Sequence, residues 1–254
     1  MSETQETMAL EEYLAQGGVV TSPANANARY RAEVMKIMAI FIDSELAGAA
    51  GFAGSINTAP GLRERIAAAK ITLEKTRHAE MVLDLMGEFG ANTARYANSH
   101  PWEARLERDA PPGATRSEHD MRLSVFNYPL DGWVDAVTMN LVMGLAVGVQ
   151  LDDLTRVSYQ PLAEAFRKIA PVEANHVKLA REGLAHLVEQ GHAEEIRAAL
   201  DYWRPRVVPV FGGGDSARHE MLRRLGLRHR DSAAQRQAWE DALGAALAEP
   251  GLTA

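Results

Sequence analysis

Four stretches of this chain carry apolar residues at steps of three and four, and none of useful length alternates apolar with polar residues. A chain of that kind hides its apolar faces by packing helix on helix. From Arg29 to about Ala53, Val34, Ile37, Met38, Phe41, Ile42 and Leu46 keep the helical period over six or seven turns. Pro60 suits the first turn of a second helix, where its missing N–H is an orphan anyway, and that run reaches Phe89 before Gly90. A third run, Leu130 to Tyr159, has the nearly all-apolar centre MNLVMGLAVGVQL of a buried helix, with Gly144 and Gly148 spaced for close approach of a neighbour. Pro161 restarts the chain into a fourth helix to about Gln190. Shorter helices are expected at Ala193 to Tyr202, Ala217 to Leu225 and Ser232 to Leu247. The expected fold is all-α: a four-helix bundle with additional C-terminal helices.

The rest of the chain divides around these runs. Residues 1–27 end in small and polar residues (Thr21 to Asn27) and read as a flexible N-terminal arm, leaving 28–254 as a single helical domain. Ala91 to Tyr128, rich in Pro and charge, is a long connection with room for one short helix. Gly212-Gly213-Gly214 lacks the strand-to-helix setting of a phosphate loop. The balance of 27 Lys+Arg against 34 Asp+Glu leaves a net charge of −7, which disfavours general nucleic-acid binding. The absence of cysteine rules out disulfides, thiolate zinc, iron–sulfur clusters and a Cys nucleophile, so any metal must be held by His and carboxylate. The start MSETQETMALEEY has no signal-peptide pattern, and no uninterrupted run of 18 apolar residues occurs; the expectation is a cytoplasmic protein with no membrane partner.

Ionisable residues in mid-helix carry the chemistry. Glu173-Ala174-Asn175-His176 is an E-x-x-H, and three residues at about 100° each bring both side chains within about 60° on the helix surface, where one metal ion can meet both. An exposed pair gives the same pattern. On the second helix His78 follows Lys75 by three and Glu74 by four, and only Glu74 of these two could share a metal with it, since an ammonium has no lone pair. Glu45 lies one turn beyond Phe41 on the first helix, on either an inner stripe or a surface shared with Asp43.

These residues, together with Ser44-Glu45-Leu46-Ala47-Gly48, Ala59-Pro60, Phe126-Asn127-Tyr128-Pro129 with Trp133 and Asp135, and Ser158-Tyr159-Gln160-Pro161, resemble the phenylacetate-degradation oxygenase family of ferritin-like proteins over roughly Tyr30 to Phe211. Within it the likeness is greatest to the catalytic subunits of phenylacetyl-CoA epoxidase. The resemblance implies a ferritin-like bundle with metal ligands at Glu45, His78, Glu173 and His176. It also implies that a bridging carboxylate is replaced by Lys75 and a third-helix carboxylate by Gly144. Two anionic ligands are gone and a cation has arrived, so iron is expected at one ion per chain at most.

Three readings stay open. The first is an oxygenase with an atypical mononuclear site, inserting oxygen into an aromatic or acyl-CoA-type substrate with electrons from a separate reductase, Lys75 being part of the working site. The second is a non-catalytic, metal-free subunit of such an oxygenase, with Lys75 supplying the missing metal charge to Glu45 or Glu173. The third is a metal-free bundle that binds an apolar or thioester ligand without transforming it. A homo- or hetero-oligomer is expected. Arg218, Arg223, Arg224, Arg228 and Arg230 form a solvated face or a meeting place for phosphates or an acidic partner. Trp133 and Trp203 are packing residues.

Overall fold

The computed structural model describes residues 10–116, 120–213 and 217–248; residues 1–9 of the N-terminal arm and Gly214 lie outside them. Four long helices make the body: α2 (Ala28–Ser55), α3 (Leu62–Glu88), α5 (Gly132–Leu154) and α6 (Gln160–Glu189), with the short α1 (Leu10–Ala15) and α4 (Thr93–Ala97) between and before them. Helices α7 (Ala193–Val207), α8 (Ala217–Arg224) and α9 (Ser232–Leu247) follow. Helix α2 packs along α3 and α5 along α6, and the two pairs meet through α3 with α6 and α2 with α5. This is an all-α, ferritin-like bundle. No strand occurs among the described residues, only a single bridge between Val20 and Tyr159.

The apolar stripes face inward as their period requires. One core joins Val34, Met38 and Ile42 of α2 to Val82 and Met86 of α3, Leu151 of α5 and Phe166 of α6, and Leu222, Leu225 and Leu227 close it from the C-terminal side. A second joins Phe126, Val142 and Met143 to Trp203, Phe211 and Trp239. Burying each large side chain stabilises the fold by about 1.5–3 kcal/mol relative to exposure. Helices α2 and α5 are long and apolar enough to cross a membrane, yet more than half of each apolar stretch is buried inside the bundle, as in the central helices of a globular core.

Helix ends follow local chemistry. Asn27 caps α2 by accepting from the Tyr30 N–H at 2.9 Å. Ahead of it, Leu14 and Val20 are buried, and the Val20 N–H donates to the Ser158 carbonyl at 2.8 Å. The third helix stops at Leu154, short of the expected Tyr159, because Asp153 is fully buried and accepts from the His229 and Arg230 N–H groups, which ties the turn to the C-terminal segment. Helix α7 runs past its expected end and through Pro205 to Val207. Packing outweighs the proline penalty there: Trp203 is fully buried and donates Nε1–H to Asp135 at 3.0 Å. The long connection contains α4 and a 3-10 turn at Ser124–Asn127, and Val208–Phe211 is another such turn.

Candidate functional site: an ion-paired cluster between four helices

Three inner stripes share one interruption. On α2 the buried positions run Met38, Ile42, Glu45, Ala49; on α3 Ile71, Lys75, His78, Val82; on α6 Ile169, Glu173, His176, Ala180. Each steps by four, three and four, so folding the apolar flanks into the core carries the ionisable residues in with them. Glu45, Lys75, His78, Glu173 and His176 are all buried, none more than 5% exposed.

They meet. Lys75 Nζ lies 3.1 Å from Glu45 Oε1 and 3.1 and 3.2 Å from the two oxygens of Glu173. His78 Nδ1 is 3.1 Å from Glu45 Oε2 and 3.1 Å from Glu173 Oε1. His176 turns away from this knot: its Nε2 is 2.8 Å from Glu74 Oε2, while its Nδ1, 3.4 Å from Glu173 Oε2, lies within ion-pair range but outside hydrogen-bonding geometry. Glu74 thus partners His176 on α6 instead of His78 on its own helix. The Asn140 amide on α5 donates to the His176 carbonyl at 3.2 Å.

The charges answer one another. Burial pushes the Lys75 ammonium down, but the charges and hydrogen bonds of Glu173 and Glu45 outweigh it and hold the pKa above the ordinary lysine value. Burial also opposes charge on Glu173, yet Lys75 and the neighbouring histidines hold its carboxyl well below the usual range. For His78 burial acts downward, and the hydrogen bonds and charges of Glu173 and Glu45 raise the pKa to about 9. At neutral pH the Lys75 ammonium and the protonated His78 therefore face the ionised Glu173 and share the oxygens of Glu45. Because the folded value of His78 exceeds the unfolded one of about 6.5, its stabilising contribution is complete below that pH and is lost as pH rises through about 9. Ring-nitrogen NMR is expected to show His78 still protonated at pH 8; titration at the ordinary histidine value would contradict this charge balance.

Glycine and valine decide what fits. A Cβ on Gly48, one turn from Glu45, would stand 3.3 Å from Lys75 Cδ and 3.4 Å from Phe126, so the bare backbone gives the lysine stem its room. At Gly144 on α5 an added Cβ would meet Val177 Cγ2 of α6 at 2.8 Å, which is the close approach expected there; at Gly148 nothing lies within 4 Å. Glu45, His78 and Glu173 each offer a ligand atom within 4.8 Å of the others, the spacing of a metal triad. A bound transition metal would sit about 2.0–2.2 Å from such oxygens, in the space where the Lys75 ammonium already contacts both carboxylates. With the lysine charged in place the donor set does not fit a metal. For a dinuclear centre the cluster also offers few anionic ligands: among its buried members only Glu45 and Glu173 are carboxylates.

A comparison with protein families matches residues 8–254 to the family described as phenylacetic acid catabolic protein. The chain belongs to this family. No curated protein matches. The match covers the bundle and its C-terminal helices alike.

Sequence reading located the five residues but missed the features around them. Gly48 and Val177 act only through contacts between helices. The bidentate ion pair of Arg108 with Asp135, at 2.7 Å and 3.2 Å, joins residues far apart in the chain. The arginine segment disperses: Arg218 pairs with Glu33 at 3.0 Å, Arg230 with Asp152 at 2.8 Å, Arg223 and Arg224 are exposed, and Arg228 lines a cavity. Trp203 is a core residue, and Trp133 is half-buried.

Proposed function

We propose that this chain is a metal-free, non-catalytic subunit of a phenylacetate-degrading oxygenase assembly in the cytoplasm, its domain taking in Leu14 and Val20 ahead of residue 28. The observation that carries the reading is the Lys75 ammonium shared between Glu45 and Glu173. It supplies charge where relatives of this fold would use a metal, and its pKa is held up, so it does not readily release its proton to admit one. Lys75 is then a structural cation and not a catalytic group. Glu45, His78, Glu173 and His176 serve as its surroundings, and the chain's task is to hold a bundle that pairs with a catalytic relative in a hetero-oligomer.

The test is anaerobic loading with iron(II) followed by desalting and elemental analysis, alongside co-expression with a catalytic chain of the same family. The reading expects iron far below one ion per chain and a stable complex with that chain. One tightly held iron per chain would overturn it. That result would favour the second reading, a one-iron oxygenase acting on an aromatic or acyl-CoA-type substrate with a reductase partner. The second reading is supported by the spacing of Glu45, His78 and Glu173, and it requires the ammonium to swing out.

A further inference from the structure

A cavity of about 430 Å³ opens beside the cluster, between α2, α5 and the C-terminal segment. That volume is in the range of small-molecule sites. Helices α2 and α5 run in opposite directions along it: Tyr30, near the start of α2, hydrogen-bonds Ser158 just past the end of α5. One end therefore holds Ile37 with Leu151 and Leu154, and the other holds Glu45 with Phe126 and Met143. Met143 to Leu154 spans about 16 Å of helix. The walls along this length are predominantly apolar, including Phe41 and Val147.

The two ends differ in charge. At the Leu154 end stands Arg228, placed there because the next two residues donate their N–H groups to Asp153. Its Nη1 is sealed from solvent and has no hydrogen-bond partner among the described residues. Asp153, the one carboxylate among the described residues that favours its charge, is already engaged by the His229 and Arg230 N–H groups and lies 3.7 Å from Arg156. Arg218, also on the cavity wall, adds like charge while paired to Glu33. A buried guanidinium arm without an acceptor is costly, and a planar anion is its natural complement. At the opposite end the Glu45 oxygens are already engaged by Lys75 and His78. They offer no donor to a ligand's negative group, whereas Arg228 does, so the ligand's polarity within the cavity is set.

We infer that this cavity is a binding site for a small amphiphilic monocarboxylate, its carboxylate on Arg228 and its apolar tail directed along α5 toward Met143 and Phe126. A carboxylate suits the site better than a phosphate because a single guanidinium arm is unanswered. The inference stands apart from the metal question, since none of its groups but Glu45 belongs to the cluster and Glu45 only lines the far end.

The test uses the full chain and three probes: octanoate, octanamide and octyl phosphate, titrated by calorimetry. Octanoate is expected to bind at least about tenfold more tightly than octanamide, the scale of a hydrogen bond to a charged group, and more tightly than octyl phosphate. Arg228→Met is expected to erase the preference for acid over amide while leaving weak binding of both. In the parent protein, NMR should give an NOE from the terminal methyl of octanoate to the Val147 methyls, part-way along α5, a measurement that stands even if the Arg228 variant does not fold. Equal binding of acid and amide, a preference that survives Arg228→Met, tighter binding of the phosphate, or an octanoate methyl found beside Arg228 would each overturn the assignment. A failure here leaves the iron measurement untouched, and the reverse also holds.

Discussion

Replacing Lys75 by Met is expected to destabilise the fold by about 3–5 kcal/mol, the usual cost of removing one partner of a buried ion pair. Methionine keeps a flexible apolar stem beside Gly48, so the loss reports on charge more than on packing. Without the ammonium, Glu45 and Glu173 share only the proton of His78, and one buried carboxylate is left unanswered. That carboxylate would bind a proton more readily than in the parent, so the deficit should shrink as pH falls toward about 5. Adding Glu173→Gln to Lys75→Met should recover part of the stability, because it removes the surplus negative charge. Denaturant melts at neutral and mildly acid pH check all three statements. A Lys75→Met protein that melts like the parent would show that the ammonium is not what holds the two glutamates together.

The second expected result concerns metal. On the metal-free reading proposed above, Lys75→Glu should raise metal uptake from well below one to roughly one ion per chain, since it removes the competing cation and adds an anionic oxygen ligand. Three clustered carboxylates with only His78 to offset them repel one another, so the variant is expected to be weak in chelator and to gain melting temperature on addition of iron(II) or zinc(II). Further substitution of Gly144 by Asp should not raise the uptake unless Val177 is made smaller, because Val177 Cγ2 lies 2.8 Å from where the new Cβ would stand. Elemental analysis with and without Val177→Ala decides this. Undiminished metal rejection by the Lys75→Glu protein would mean that the helices, and not the lysine, close the site.

Much of the bundle was legible because the pattern that specifies it is local. Steps of three and four in α2, α3 and α6 place helix, inner face and interruption together, and Glu45, His78, Glu173 and His176 stand where those steps put them. Lys75 is legible as an oddity, a cation among candidate metal ligands, and its ion pairs with Glu45 and Glu173 follow from that oddity. What could not be read is what depends on the approach of one helix to another. Glu74 follows the 3.6-residue period toward His78 on its own helix, yet the packing of α3 on α6 brings it to His176 instead. The length of α5 depends on Asp153 capping a segment some 75 residues later, and a window that sees only neighbours in sequence runs the helix on. The unanswered arm of Arg228 is a property of a cavity wall, invisible in a segment that reads as a row of surface arginines.

The ion-paired core also sets how the protein responds to heat. Apolar burial gains little further strength per unit area as temperature rises, whereas the penalty for stripping water from charged groups falls, because their hydration is entropically unfavourable. Lys75, Glu45, Glu173 and His78 are nearly dehydrated at every temperature at which the fold persists. Their mutual attraction therefore counts for more in warm solution than in cold, and the bundle carries at its centre an element that strengthens in relative terms just where the surrounding hydrocarbon begins to fail.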